Sequence, residues 1–221
     1  MAPGLVSESG RHLSSDELTN RLQKMAPARI RKQAEEVKPL LAHRNQLVRW
    51  AAAEALGRAG LGAAELRERL GTERNELVLT EIAESLARLR DEASLPRLRS
   101  LAEEHSSTLV RNYALLAIAD ISGKEALPYL RERLVRERSR RLKAFLRSAL
   151  FAKGADEVLP DLLKDLRSND VRVRRGVANL LYHYAPRRQR PVLLAALREA
   201  ADRETHPGAR GDLERAIEEL S

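Results

Sequence analysis

Apolar residues recur along the chain with two nested periods. Counted from Val48, they fall at positions 0, 4, 7, 8 and mostly 11, which draws one stripe on a helix of 3.6 residues per turn. The stripe restarts at Val78, Val110, Leu142 and Val173, spacings of 30, 32, 32 and 31 residues. Four positions after these anchors stand Ala52, Ile82, Ala114, Leu146 and Val177, and eight after stand Leu56, Leu86, Ile118, Leu150 and Leu181. Five copies argue against chance.

The segments between the stripes repeat as well. Leu-Pro occurs at Leu95-Pro96, Leu127-Pro128 and Leu159-Pro160, and Pro191 continues the series, with Ala64 in the equivalent earlier place. Proline is tolerated in the first turn of a helix, where its missing N–H would be unpaired anyway. Each unit therefore reads as a first helix, a short polar turn and a second helix carrying the anchor. Asn45, Asn75, Ser107, Ser139 and Asn169-Asp170 are N-cap candidates, and Gly57, Gly60, Gly62, Gly123 and Gly154 punctuate the exits. Ser14-Ser15-Asp16-Glu17 reads as a capping box opening a helix to about Lys24, and Pro27 to about Ala42 reads as another. Arg188–Asp202 and Ala209–Leu220 form a sixth pair, split by Thr205-His206-Pro207-Gly208. No segment alternates with period 2, so no sheet is expected.

A helix pair of this length cannot bury its apolar face alone, so the units must stack. The expected fold is all-α, a right-handed α-solenoid of about six antiparallel helix pairs. Residues 14–221 form one domain with units near 28–60, 61–91, 92–122, 123–154, 155–186 and 187–221, behind a disordered tail over 1–13.

Val48-Arg49, then Ala52-Ala53 and Ala55-Leu56-Gly57, with Leu-Pro-x-Leu helices at the same spacing, resembles HEAT repeats. The likeness is greatest to the short bacterial, phycobilisome-lyase-like kind, and it covers roughly residues 28–218. The resemblance implies that the Arg after each anchor bonds a neighbouring turn in a ladder. Arg49, Arg111, Lys143 and Arg174 hold that place, whereas Leu79 departs from it. HEAT-like hydroxylases bind two irons through His-Glu pairs, and the chain has no His-Glu dipeptide. HEAT-like DNA glycosylases are Trp-rich, and Trp50 is the single tryptophan.

Composition narrows the chemistry. The 221 residues contain no cysteine, which excludes disulfides, thiolate metal sites and cysteine nucleophiles. None of the five histidines is three or four places from another, and Gly57-Arg58-Ala59-Gly60-Leu61-Gly62 lies between helices, not after a strand as a phosphate loop would. Neither an enzyme nor a cofactor or metal site is expected. No apolar run reaches membrane-spanning length and the N-terminus has no basic-then-apolar leader, so a cytoplasmic protein is expected.

Surface therefore carries the function. With the stripe buried, positions 2, 6 and 9 of each second helix form the opposite, inner concave wall. Trp50, Glu54, Glu84, Leu116, Phe151, Arg175, Asn179 and Tyr182 are the candidate partner-binding residues there. Either this wall is open to a partner, or curvature and the terminal helices cover it. The seven aromatic residues are few, and three of them fall on this wall; Tyr113, Phe145 and Tyr184 fall in core positions.

Charge is uneven. The net charge of +8 resolves into +10 over residues 131–190 and −2 elsewhere. Arg138, Arg140, Arg141, Lys143, Arg147, Arg172, Arg174, Arg187, Arg188 and Arg190 make a candidate patch for an acidic partner or a polyanion, unless they form ion pairs within the chain. The leading expectation is a non-catalytic protein-interaction scaffold, monomeric and partial to acidic partners. The alternative is nucleic-acid binding through residues 131–190, and the resemblance adds an accessory or chaperone of a tetrapyrrole-type lyase as a third possibility.

Overall fold

A computed structural model of the chain describes residues 13–221, apart from the side chains of His183 and Tyr184. The tail expected over 1–13 lies, but for Leu13, outside the described residues, as does the core position expected for the Tyr184 side chain. The described residues contain helices and turns and no strand. They fall into two compact units, the first ending at Ser122 and the second beginning at Gly123.

In the first unit α1 (Ser15–Lys24) opens with the expected capping box. The Ser14 side chain accepts the Glu17 N–H while Glu17 accepts the Ser14 N–H. The continuous helix expected from Pro27 to Ala42 is instead three pieces: α2 (Pro27–Lys32), α3 (Ala34–Val37) and a 3₁₀ segment, Lys38–Ala42. Pro39 accounts for the second change, because it offers no N–H and its ring crowds the preceding turn; the first break falls at Gln33, at φ −112° and ψ 21°. Helices α4 (Gln46–Ala59), α6 (Glu76–Arg88) and α8 (Thr108–Ser122) carry the first three anchors, and α5 (Ala63–Thr72) and α7 (Leu95–Glu104) are first helices. Helix α1 packs on α4, where Arg58 donates to the Leu22 carbonyl at 2.9 Å and Arg31 of α2 donates to the Ala59 carbonyl at 2.9 Å.

The second unit pairs α9 (Leu127–Arg136) with α10 (Arg140–Ala152), and α11 (Leu159–Asp165) with α12 (Val171–Tyr184). The last pair is α13 (Arg190–Arg203) and α14 (Pro207–Leu220). Helices α7, α9, α11 and α13 all begin with proline in the first turn, each behind a short 3₁₀ turn.

Every anchor and every residue four and eight places after it is buried, none more than 3% exposed. Burying a Val, Leu or Ile side chain contributes roughly 1.5–3 kcal/mol, so within each unit this stripe is the core that joins one helix pair to the next. Asn45, Asn75, Ser139 and Asp170 cap α4, α6, α10 and α12 through their side chains. Ser107 differs: its hydroxyl donates to Glu76 at 2.6 Å. Three helix exits use the left-handed backbone twelve places after the anchor, with glycine at Gly60 and Gly154 but Arg90, at φ 55°, in the second repeat. Gly57 is no exit. It lies within α4, facing Ser85 of α6.

Candidate functional site

One turn design recurs before every second helix. The residue five places before the anchor accepts the N–H of the residue two places on: His43 Nδ1 from Asn45, Glu73 from Asn75, His105 Nδ1 from Ser107, Glu137 from Ser139, and Ser168 Oγ from Asp170. Glu204 does the same for His206 at 2.9 Å, which marks Ala209 as the anchor of the last repeat. The arginine after the anchor reaches back to the carbonyl of that turn residue. Arg49, Arg111, Arg174 and Arg210 bond the carbonyls of His43, His105, Ser168 and Glu204.

Two of these arginines also reach forward. Arg49 grips both oxygens of Glu73 in the next turn at 2.8 and 3.0 Å, and Arg174 grips Glu204 at 2.5 and 2.7 Å. Burial pushes the Glu73 carboxyl up, but Arg49, the Asn75 N–H, Arg69 and the Arg74 N–H outweigh it and hold it at about 2. Arg174 is the main cause holding Glu204 at about 2 as well. Leu79 and Lys143 interrupt the series, and the turns that follow them carry His105 and Ser168 in place of a carboxylate. The ladder implied by the resemblance thus closes at two rungs, Arg49–Glu73 in the first unit and Arg174–Glu204 in the second.

In the first unit, α4, α6 and α8 pack in sequence and show a common outer stripe. Its first position is Leu47, Leu77 and Leu109, respectively 47%, 52% and 41% exposed, each immediately before its anchor. Beside this row Asn75 bonds Gln46 and Ser107 bonds Glu76, tying neighbouring helices together. Trp50, Glu54, Glu84 and Leu116, expected on the wall, are half-buried on the same stripe. Glu54 and Glu84 are already paired along their own helices with Arg58 and Arg88. The leucine row was not among the expected residues, since positions 2, 6 and 9 alone defined the wall.

The wall differs in the second unit. Phe151, expected as a partner anchor, is 1% exposed and belongs to the core. Position 9 faces the adjacent second helix and not solvent, as Gly57 against Ser85 makes plain, and Gly57, Ala87 and Ala119 are buried there too. Ala144 and Ser148, at positions 2 and 6 of α10, are buried as well. Arg175 is exposed but bonded to Asp212 of α14 at 2.5 Å, while Asn179 and Tyr182 are half-buried.

Sequence reading passed over Glu81. It is 6% exposed on α6, and burial together with Glu84 pushes its carboxyl up to about 7 against the pull of Arg88 and Ser85. Ser85 Oγ lies 3.0 Å from the Ala53 carbonyl and 3.2 Å from Glu81. Among the described residues no group of three His, Asp or Glu could hold a metal ion, and no helix is long and apolar enough to cross a membrane.

Residues 63–151 match the sequence family of HEAT repeats. The whole fold is likewise similar to a chain of the complex of CpcE and CpcF of phycocyanin lyase from Nostoc sp. PCC7120, with TM-score 0.58 and 19% identity over 99% of this chain and 98% of that one. An archaeal HEAT-like repeats protein from Thermococcus onnurineus NA1 aligns with TM-score 0.40 and 14% identity, over 95% of this chain and 98% of that one. No curated protein matches the sequence. The chain is therefore an all-α HEAT-like solenoid.

Along the second unit the expected cationic patch divides in two. Arg141 pairs with Asp170, Arg147 with Asp165, Arg174 with Glu204 and Arg188 with Asp156. These four are spent on the fold. Arg138, Arg140, Lys143, Arg172, Arg187 and Arg190 have no carboxylate partner among the described residues. Arg140, Lys143 and Arg147 converge on a cleft of ≈ 500 Å³ that Lys164 and Arg167 also line. The last two escaped the sequence reading because acidic residues surround them in the chain.

Proposed function

We propose that this protein is a non-catalytic interaction module, acting in the cytoplasm, which holds an amphipathic segment of a partner protein against α4, α6 and α8. The observation that carries this reading is the exposed row Leu47, Leu77 and Leu109. Three large aliphatic side chains at one repeat position, left in water, constitute an apolar strip on an otherwise polar edge. Packed helices lie about 8–10 Å apart, and two turns of a partner helix span about 10.5 Å, so apolar residues seven apart on the partner meet successive leucines. Trp50 and Leu116 widen the strip. Arg44 and Arg74, exposed and without a carboxylate partner among the described residues, favour an acidic flank on the partner. The structure of the CpcE and CpcF complex supports the reading to the extent that a protein of this fold works bound to another.

The test is a Leu47→Ser, Leu77→Ser, Leu109→Ser variant compared with wild type in affinity capture from native cell extract. The variant is expected to keep its circular dichroism and melting temperature and to lose the captured protein. Equal capture by both would overturn the reading.

A second reading, a nucleic-acid backbone on residues 131–190, rests on the unpaired cations of the second unit. It predicts binding to random oligonucleotides whose log affinity falls with log salt by about 0.7–0.9 per phosphate contact. Absence of binding at low salt removes it.

A further inference from the structure

The cleft in the second unit lies where one rung of the turn ladder is missing. Lys143 stands one place after its anchor Leu142, and Ser168 stands five places before the next anchor, Val173. In the following pair the same two positions are Arg174 and Glu204, closed by two hydrogen bonds, and in the first unit they are Arg49 and Glu73, closed likewise. Between Lys143 and Ser168 there is neither a guanidinium fork nor a carboxylate to receive one. Space remains: ≈ 500 Å³, within the range of small-molecule sites, with Val173 at its base.

Its charge is also unfinished. Arg147 donates to Asp165 at 2.7 Å, Lys164 to Asp161 at 3.1 Å and Arg167 to Glu199 at 2.6 Å, so these three cations are compensated. Arg140 and Lys143, one helical turn apart on α10, have no carboxylate partner among the described residues. Two positive charges therefore stand uncompensated in one cleft. Arg147 adds no free charge: its Nε, shielded from solvent, faces Asp161 at 3.6 Å.

We propose that this cleft binds the dianionic phosphate of a small organic phosphate ester, its oxygens occupying the place of the absent turn carboxylate. A phosphate monoester carries close to two charges at neutral pH and offers three acceptor oxygens, which matches the two uncompensated cations Arg140 and Lys143. A single carboxylate leaves one of the two free cations unanswered. The organic part of the ester has the remaining volume beside Ser168 and Asn169, polar residues of the turn that suit hydroxyl groups. The site shares no residue with the leucine row, and the two readings succeed or fail separately.

Calorimetric titration of the full chain with glycerol 3-phosphate and with inorganic phosphate, at constant ionic strength and with acetate as control, tests the proposal. Saturable binding of both phosphates and none of acetate is expected, with at least a tenfold loss of affinity in Lys143→Gln. A Lys143→Arg, Ser168→Glu double variant rebuilds the missing rung. It is expected to keep or raise the melting temperature and to lose phosphate binding, which separates a filled site from a damaged fold. Arg44→Gln, in the other unit, leaves the titration unchanged. Equal responses to phosphate and acetate, undiminished affinity in either cleft variant, or an oligonucleotide that binds without being displaced by phosphate would each overturn the proposal.

Discussion

Gly57 on α4 and Ser85 on α6 approach so closely that a Cβ on Gly57 would stand 2.3 Å from Ser85 Oγ and 3.0 Å from Ser85 Cα. Glycine here serves contact and not chain reversal. It lets the Ser85 hydroxyl reach the Ala53 carbonyl across the helix interface. Gly57→Ala should therefore lower stability by roughly 1–3 kcal/mol, the usual range for overpacking, although alanine is the better helix former. Thermal melting of the single variant and of Gly57→Ala, Ser85→Gly checks the cause: the second change should recover part of the loss.

Glu81 gives a pH signature. Its folded carboxyl titrates near 7, above the ordinary 4.5, so the stability linked to its proton is complete below about 4.5 and is lost as pH rises through 7. Glu81→Gln should be more stable than wild type at pH 8, by at most about 3 kcal/mol, and the gap should close by pH 4.5. Urea melts across pH 4.5–8 measure it. A gap independent of pH would show that the carboxyl does not titrate in this window.

Glu73 and Glu204 act with the opposite sign. Held near 2 in the fold, they stabilise it fully above about 4.5 and cease to do so as pH falls toward 2. Glu73→Gln strands Arg49 and Arg69 and should cost roughly 3 kcal/mol at pH 6. The same variant should lose less stability than wild type on acidification from pH 4.5 to 2, as read by melting temperature.

Phe151→Ala should behave as a core lesion. A cost of about 3–5 kcal/mol is expected from the lost burial and the cavity it leaves. Circular dichroism melts would register that loss, whereas a mere surface anchor would leave the melting temperature unchanged.

What the chain discloses in advance follows from how many copies write the same message. The anchors and their partners at four and eight places are spelled five times in aliphatic residues, and prolines mark the first helices, so the helix pairs are readable from Leu47 to Leu181. The turn residue five places before each anchor is spelled His, Glu, His, Glu, Ser and Glu. Those residues share only a lone pair directed at the same N–H, which no residue alphabet displays. Phe151 was misplaced because helical phase separates inward from outward positions but does not say which outward position meets the neighbouring helix. The leucine row lay one residue before the anchors, outside the positions used to draw the wall. In the patch, Arg147 and Arg174 meet carboxylates 18 and 30 residues away, pairings that sequence adjacency conceals.

The Arg49–Glu73 and Arg174–Glu204 rungs make adjacency itself part of what the sequence specifies. Excising the helix pair of α5 and α6 would set Arg49 before His105, a turn with no carboxylate to answer it. The units are thus not interchangeable beads, although they share a core pattern. Arg49 and Arg174 are plugs suited to the sockets of their own successors, and a shuffled array would keep its apolar seam while losing the grammar that fixes repeat order at those two joints.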